Sequence, residues 1–441
     1  MVETGRRTGR PKGDERALLV GVIFPSDPEM HEHPLDELGR LADTAGCTSV
    51  GRVVQRRRRP SASTFVGQGK AEEIAAACRE HDAEVVIFNV DLSPAQIRNL
   101  EKVLSTRVVD RTELILDIFA LHARSHQARL QVEMAQAQYL LPRLRRMWTH
   151  LSREGGTGQA GGIGTRGPGE KQIEIDRRLL RRRMGELKGE LARIGARRLR
   201  MARARDRYFT ISLVGYTNAG KSTLLQRLTG DETFIADQLF ATLDTKTRAW
   251  ELPGGKHVFL SDTVGFIRNL PHHLVASFRA TLEEARAADL VLHVVDVSHP
   301  DAKLHIESVN AVLKELDAFE TPRVLVLNKA DRVEDPLDLR LLGNRRSPSV
   351  VVSALTGEGV DRLAEEVERH ILEGQAEAEF RIPAGAGKVL AFLADRGTIL
   401  DRSYDDGVVS VRVRLARADL ARVDRMIHAA PEKDGTTNED D

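Results

Sequence analysis

The chain has 441 residues, with 66 Lys and Arg against 65 Asp and Glu, a net charge of +1, 41% apolar residues and 4% aromatic residues. That length predicts two to four domains, each able to bury a core. No apolar run reaches the roughly 18 residues that a membrane-spanning helix needs, and the polar, basic stretch 1–16 lacks the apolar centre of a signal peptide.

Cys47 and Cys78 lie far apart with no C-x-x-C, and Cys78 with His81 supplies too few ligands for a metal site. Reduced thiols in a cytoplasmic protein are the expectation. Residues 1–15 are expected to form a disordered tail. Residues 16–110 alternate apolar strands (17–23, 84–90) with helices (35–45, 94–105), which predicts a small α/β domain. Gly67-Gln68-Gly69-Lys70 imitates half a phosphate loop, but Thr64 stands where the first glycine belongs. No second nucleotide site is assigned there.

Residues 111–207 differ in kind. Leu130, Met134, Ala137, Leu141, Leu144, Trp148 and Leu151 repeat at four-three spacing, as do Leu180, Met184, Leu187, Leu191 and Ile194. Two such stripes around one loop predict an antiparallel coiled-coil hairpin, about 40–55 Å long at about 1.5 Å per residue. Pro142 should kink its first helix. The loop, 155–169, holds eight glycines in fifteen residues. A connector needs only a few residues, so this loop reads as a probe that moulds to a crowded surface. Between residues 176 and 207 there are thirteen Arg or Lys against four Asp or Glu, a local bias that the net charge conceals.

Residues 208–375 carry the chemistry. An apolar run, 209–214, delivers Gly215-Tyr216-Thr217-Asn218-Ala219-Gly220-Lys221-Ser222, a full G-x-x-x-x-G-K-S loop, into an amphipathic segment at 223–228. In that strand–loop–helix context, backbone N–H groups and the positive helix end can wrap a phosphate chain. Lys221 is expected on the β- and γ-phosphates and Ser222 on Mg²⁺. A second buried-strand pattern, 323–327, delivers Asn328-Lys329-Ala330-Asp331. The Asp331 carboxylate can accept from guanine N1–H and the 2-amino group together, whereas adenine would leave it unpaired. Lys329 can cover the base face. After 350–352, Ser353-Ala354-Leu355 offers the Ala354 N–H to guanine O6. GTP is therefore the expected ligand.

Two further segments complete a switch. Asp262-Thr263-Val264-Gly265 follows the strand pattern at 258–261; Asp262 is expected to hold Mg²⁺ through water, and the Gly265 N–H to meet the γ-phosphate. Phe240-Ala241-Thr242-Leu243-Asp244 offers Thr242 as a second hydroxyl on Mg²⁺, with Thr245 and Thr247 as neighbouring alternatives. Both contacts last only while the γ-phosphate does. Phe266 occupies the position where Ras-like enzymes carry the glutamine that orients the attacking water. Hydrolysis should thus be slow without a partner. Asn218 either holds a monovalent cation such as K⁺, which would join Lys221 and Gly265 in catalysis, or only stabilises the loop. Residues 376–430 hold a helix at 388–395 and a Val-rich strand at 407–414, a small α+β domain with no legible chemistry, and 431–441 form an acidic tail expected to be disordered.

A more specific likeness lies in Gly161-Gly162-Ile163-Gly164-Thr165-Arg166-Gly167-Pro168-Gly169-Glu170 followed by Asp176-Arg177-Arg178, which is similar to the signature of the HflX GTPases. Asp110-Arg111-Thr112, Asp117-Ile118-Phe119, Leu130-Gln131-Val132-Glu133, the 240–244 stretch and Phe65-Val66-Gly67-Gln68-Gly69-Lys70 resemble that family as well. The likeness covers about residues 16–375; Lys171 departs from the family's more usual threonine, at the root of the hairpin. It implies a cytoplasmic GTPase bound to the large (50S) ribosomal subunit that splits stalled or idle ribosomes under stress, its hairpin reaching toward the peptidyl-transferase centre. Arg166, Arg177, Arg178, Arg181, Arg182 and Arg197 would then meet rRNA phosphates. A monomer is expected. The alternatives are a ribosome-assembly GTPase and a non-catalytic, GTP-gated regulator of a protein partner.

Overall fold

The structure, a computed structural model, describes residues 15–25, 35–144, 168–204, 208–230, 240, 246–263, 265–268, 285–333, 348–405 and 407–428. The first unit is a parallel sheet in the order β2-β1-β3-β4, built from β1 (Glu15–Ile23), β2 (Cys47–Arg56), β3 (Val85–Phe88) and β4 (Arg107–Val109). Helices α1 (Asp36–Thr44), α2 (Gln68–Glu80) and α3 (Pro94–Leu104) connect them. β1 is buried from Ala17 to Ile23, as expected of a strand covered on both faces. β2 and β4 were not legible in the sequence. β2 is an edge strand with largely alternating exposure and two arginines, Arg52 and Arg56, so it lacks the continuous apolar run of β1. The Ser93 hydroxyl and the Gln96 side chain form a capping box that starts α3, with Pro94 at its first turn. The glycine-rich 67–70 stretch merely opens α2, and Lys70 is paired with Glu73 at 2.6 Å.

Helix α4 (Arg111–His122) is buried along most of its length, which fits its place between two domains rather than on a surface. Its cap, Asp110, accepts from the Glu113 N–H and also receives Tyr139 Oη and Arg143 Nη2, both at 3.1 Å. Burial pushes the Asp110 carboxyl up to about 6 despite that N–H and the Arg143 charge. Helix α5 (His126–Leu140) gives way at Pro142 to a 3₁₀ turn, Leu141–Arg143, after which Leu144 is helical again, a local break of the kind proline makes because it cannot donate to the preceding turn. Helix α6 (Pro168–Ala204) is 37 residues long, about 55 Å at about 1.5 Å per residue. It begins inside the stretch expected to be loop, so Gly169 is helical. Leu130 and Met134 of α5 pack on Leu187, flanked by Met184, Leu191 and Ile194. The Glu133–Arg183 pair is bidentate at 2.7 and 2.9 Å, and His126 lies 3.8 Å from Glu190, so the two helices run antiparallel. Trp148, Leu151 and residues 155–167 of the expected tip, Arg166 among them, lie outside the described residues.

The central unit is a six-stranded sheet in the order β10-β9-β8-β5-β7-β6. Its strands are β5 (Phe209–Gly215), β6 (Lys246–Glu251), β7 (His257–Asp262), β8 (Leu290–Asp296), β9 (Arg323–Asn328) and β10 (Ser349–Val351), all parallel except the β6–β7 pair. Helices α7 (Lys221–Thr229) and α9 (Val360–Glu373) share one core with the sheet, and α8 (Ala302–Glu315) shares the other with α4 and α1. That second core is continuous across the two domains: Phe119 of α4 meets Phe240 edge-on at 4.7 Å. The last unit is an antiparallel sheet β11-β13-β12, of β11 (Gln375–Pro383), β12 (Thr398–Asp405) and β13 (Val408–Ala416), with α10 (Gly387–Arg396) and α11 (Arg417–His428) over Val409, Val411, Val413 and Leu415. No helix among the described residues is long and apolar enough to cross a membrane.

Candidate nucleotide site

The carboxyl ends of β5, β7, β8 and β9 converge, the place where open α/β sheets bind ligands. The 215–222 loop is shaped by close approaches. Gly220 has φ +90°, and a Cβ there would collide with the Asn328 amide. Asn328 Nδ2 in turn donates to Ala219 O at 2.8 Å, and its Oδ1 accepts from the Ala354 N–H at 2.9 Å. One buried asparagine thus ties the phosphate loop to β9 and to the loop after β10. The Ala354 N–H, expected on guanine O6, is engaged by Asn328 in this state. Leu355 is exposed, and its carbonyl and that of Ala354 are held by Arg227 of α7.

Lys221 is buried, and its Nζ donates to the carbonyls of Gly215 and Tyr216 at 3.1 and 2.9 Å. Burial pulls its ammonium down to about 8, opposed by the Asp262 charge. An incoming phosphate would replace the two carbonyls and restore the charged form. Ser222 Oγ donates to Asp262 Oδ2 at 2.8 Å, and Asp262 is buried. A hydroxyl and a carboxylate side by side form a hard-oxygen donor set that fits Mg²⁺, an ion that keeps several waters and takes its remaining ligands from phosphate. Thr263 is buried and its hydroxyl donates to Leu213 O at 2.7 Å, which anchors the segment after β7 to β5. The Gly265 backbone lies against Thr217 and 3.3 Å, at its Cβ position, from Lys221 Nζ. Val264, Ala241, Thr242, Leu243 and Asp244 lie outside the described residues.

Phe266 is buried beside Ile267 and Phe240 in the interdomain core, while its carbonyl receives the Thr217 N–H at 2.8 Å. Its ring therefore cannot reach an attacking water. Asn218 is exposed with φ +62°, at the rim of a cavity of about 630 Å³ that Lys329 and Asp296 also line. Lys329 Nζ pairs with Asp296 Oδ2 at 2.7 Å, which lays the lysine stem along that wall. Asp331 Oδ1 accepts from Ser353 Oγ at 2.6 Å, which fixes the carboxylate beside the 353–355 loop. Ala330 begins a 3₁₀ turn that presents Asp331, and its N–H donates to Val352 O at 3.2 Å.

Family profiles described as "GTP-binding GTPase N-terminal", "GTP-binding GTPase Middle Region", "50S ribosome-binding GTPase" and "HflX C-terminal domain" match residues 32–120, 122–205, 210–329 and 339–438. The GTPase HflX of Caldanaerobacter subterraneus subsp. tengcongensis is 43% identical over 403 residues, 91% of each chain. That of Escherichia coli is 44% identical over 413 residues, 93% of this chain and 95% of its own. The chain belongs to the HflX family. Its profiles fall between residues 32 and 438, and the protein binds and hydrolyses GTP, with the Mg²⁺ that GTPases of this fold use. A solved GTP-binding protein of Sulfolobus solfataricus in complex with GDP is also similar, at 23% identity and a TM-score of 0.42, covering 80% of this chain and 98% of its own.

Several roles at this HflX site were not foreseen. Tyr216, in the phosphate loop, turns its ring away from the phosphates: it stacks on His305 at 3.8 Å, its hydroxyl donates to Glu37 of α1, and it accepts the Arg268 N–H at 2.9 Å. Arg111 of α4 donates to Glu37 at 2.9 Å and to the Arg268 carbonyl at 3.1 Å. The phosphate loop, the segment after Gly265 and the N-terminal domain thus meet at one buried polar knot. Burial raises the Glu37 carboxyl, but Arg111, Tyr216 and Arg268 together outweigh it and hold the group below its ordinary range. A lone glutamate on an amphipathic helix gives no sequence signal for such a role. Asp296 was detectable in principle, since it is a carboxylate at the carboxyl end of a parallel strand.

Proposed function

We propose that this GTPase is a switch of the large ribosomal subunit that separates stalled or idle 70S ribosomes under stress. The observation that carries this reading is α6, a helix of 37 residues packed on α5, which in turn shares a core with α4, the helix that begins at Arg111. Arg178, Arg181, Arg182 and Arg197 are exposed on it and Arg177 is partly so, whereas Arg183 is already engaged by Glu133 and Arg182 also pairs with Glu186 of its own helix. Exposed arginines on a rigid rod suit the phosphates of folded RNA. Arg166 and the glycine-rich tip would extend from its end. The profile "50S ribosome-binding GTPase" over 210–329 supports the same partner.

In this reading the 215–222 loop wraps the phosphates, Lys221 neutralises the β- and γ-phosphates, and Asp331 with Lys329 selects guanine. Ser222, Thr242 and Asp262, the last through water, would hold Mg²⁺, which screens charge between the β- and γ-phosphates. Gly265 would sense the γ-phosphate and pass its loss along 266–268 to Tyr216 and Arg111. With Phe266 buried, nothing in the chain at that position orients the attacking water. The ribosome would complete the site, with K⁺ on Asn218 supplying positive charge. The protein is read as cytoplasmic, partly ribosome-bound and monomeric.

The test is a gradient assay of 70S particles incubated with the protein and a non-hydrolysable GTP analogue. Conversion to subunits is the expected result. Binding to immature subunits without dissociation of 70S particles would replace this reading with a role in assembly.

A further inference from the structure

The cavity beside Asn218, Asp296 and Lys329 is not closed by the GTPase domain alone. Its opposite wall is α1 of the N-terminal domain, through Arg40, Asp43 and Thr44. These three share one helix face by their three- and four-residue spacing. One turn earlier on the same helix, Glu37 is bonded to Tyr216, the second residue of the phosphate loop. The helix is therefore docked on the loop by Glu37 and runs on along the cavity. At about 630 Å³ the cavity has the size of a small-molecule site.

Which end of the nucleotide it holds follows from its lining. Lys329, which would cover the base face, lines it together with its partner Asp296, whereas Lys221, Ser222, Asp262 and Gly265, which would surround the γ-phosphate, are not among its walls. Arg40 projects its charge into this space, since it adds to burial in holding the neighbouring His299 imidazole below its ordinary range.

We infer that the N-terminal domain contributes directly to guanine-nucleotide binding, with Arg40 on the α-phosphate and Asp43 on the ribose hydroxyls. A guanidinium matches phosphate oxygens, and a carboxylate accepts from two adjacent hydroxyls. The assignment deepens the GTP-binding reading and rests on it. Because neither residue faces the γ-phosphate, both act on GDP and GTP alike. α1 then works as a clasp whose departure from the phosphate loop speeds nucleotide release.

The test is calorimetric titration of the full chain with unlabelled GDP, a non-hydrolysable GTP analogue and 2′,3′-dideoxy-GDP. Arg40→Ala should weaken GDP and the GTP analogue by the same factor, about tenfold or more for a lost charge-assisted bond. Arg40→Lys should recover part of the affinity and Arg40→Glu should lose more, an ordering that a merely structural role does not give. Asp43→Ala should weaken GDP while leaving dideoxy-GDP unchanged. Unaltered GDP affinity in Arg40→Ala and Asp43→Ala would overturn the inference. So would a fall in turnover at unaltered GDP affinity, which places Arg40 on the γ-phosphate. Failure of the unmutated chain to bind any guanine nucleotide would instead sink the reading beneath it, and is seen separately.

Discussion

Replacing Glu37 by Gln keeps the shape of the interdomain knot and removes its negative charge. Arg111, only 7% exposed at its side chain, then keeps the Arg268 carbonyl but loses its counter-charge. Breaking a buried pair from one side costs about 3–5 kcal/mol. The lower end applies here, because the Glu37 side chain remains 30% exposed and Tyr216 can still donate to the amide oxygen. A loss of about 3 kcal/mol corresponds to roughly a hundredfold in the opening equilibrium of the interface. Hydrogen exchange of peptides covering 36–44 and 111–122 should therefore quicken by about that factor in the native protein. The fluorescence of Trp250, buried in β6, reports that the GTPase sheet itself stays folded. The double variant Glu37→Met with Arg111→Met should recover most of the protection, since it leaves no unpaired charge. The pH dependence has a fixed sign. Glu37 is depressed in the folded state, so its contribution is present above the unfolded value of about 4.3 and is lost as pH falls through the folded one. An exchange rate in Glu37→Gln within about threefold of the parent would refute the claim that this ion pair joins the domains.

Asp331→Asn should lose GTP affinity and gain affinity for xanthosine triphosphate, whose 2-oxo group suits an amide; unchanged GTP binding in a nucleotide titration would remove Asp331 from the base site. Asp110, raised to about 6 from an unfolded value of about 3.9, binds a proton in the native state that the unfolded chain lacks between those values. Its contribution to stability should fall as pH rises through that window, and thermal unfolding of Asp110→Asn should lack that component of the slope. Neutralising Arg177, Arg181, Arg182 and Arg197 together should weaken subunit binding and flatten its salt dependence, read by sedimentation at several salt concentrations. Deleting residues 156–167 should spare nucleotide binding and most subunit affinity but abolish 70S splitting; dissociation equal to that of the intact protein would reduce the tip to a connector.

Much of the GTPase domain is legible because its signals are local. The 215–222 loop, Asn328-Lys329-Ala330-Asp331 and Asp262 each sit at the end of an apolar strand run, where spacing alone implies chemistry. The helical stripes of α5 and α6 are legible for the same reason, and the break expected at Pro142 takes the form of a 3₁₀ turn. What escapes is non-local. The Tyr216–Glu37 bond spans 179 residues and the Arg111–Arg268 bond 157, so no periodicity or motif reports either. Edge strands escape too: β2 carries arginines at alternating exposed positions, and β12 is exposed throughout, leaving no apolar face to detect. Phe240 is a mixed case. It lies in the first-switch motif, yet its buried ring serves the domain interface at Phe119.

The central claim is that the ribosome completes a catalytic site that Phe266 leaves unfinished. GTP turnover of the full chain, measured with and without purified 50S subunits and in K⁺ and Na⁺, tests it most directly. Turnover alone should lie near or below about 10⁻⁴–10⁻³ s⁻¹ and rise about tenfold or more with subunits, further in K⁺ if Asn218 holds the ion. Equal rates in the two salts would discard the cation and keep the rest. A fast intrinsic rate that large subunits leave unchanged would contradict the account.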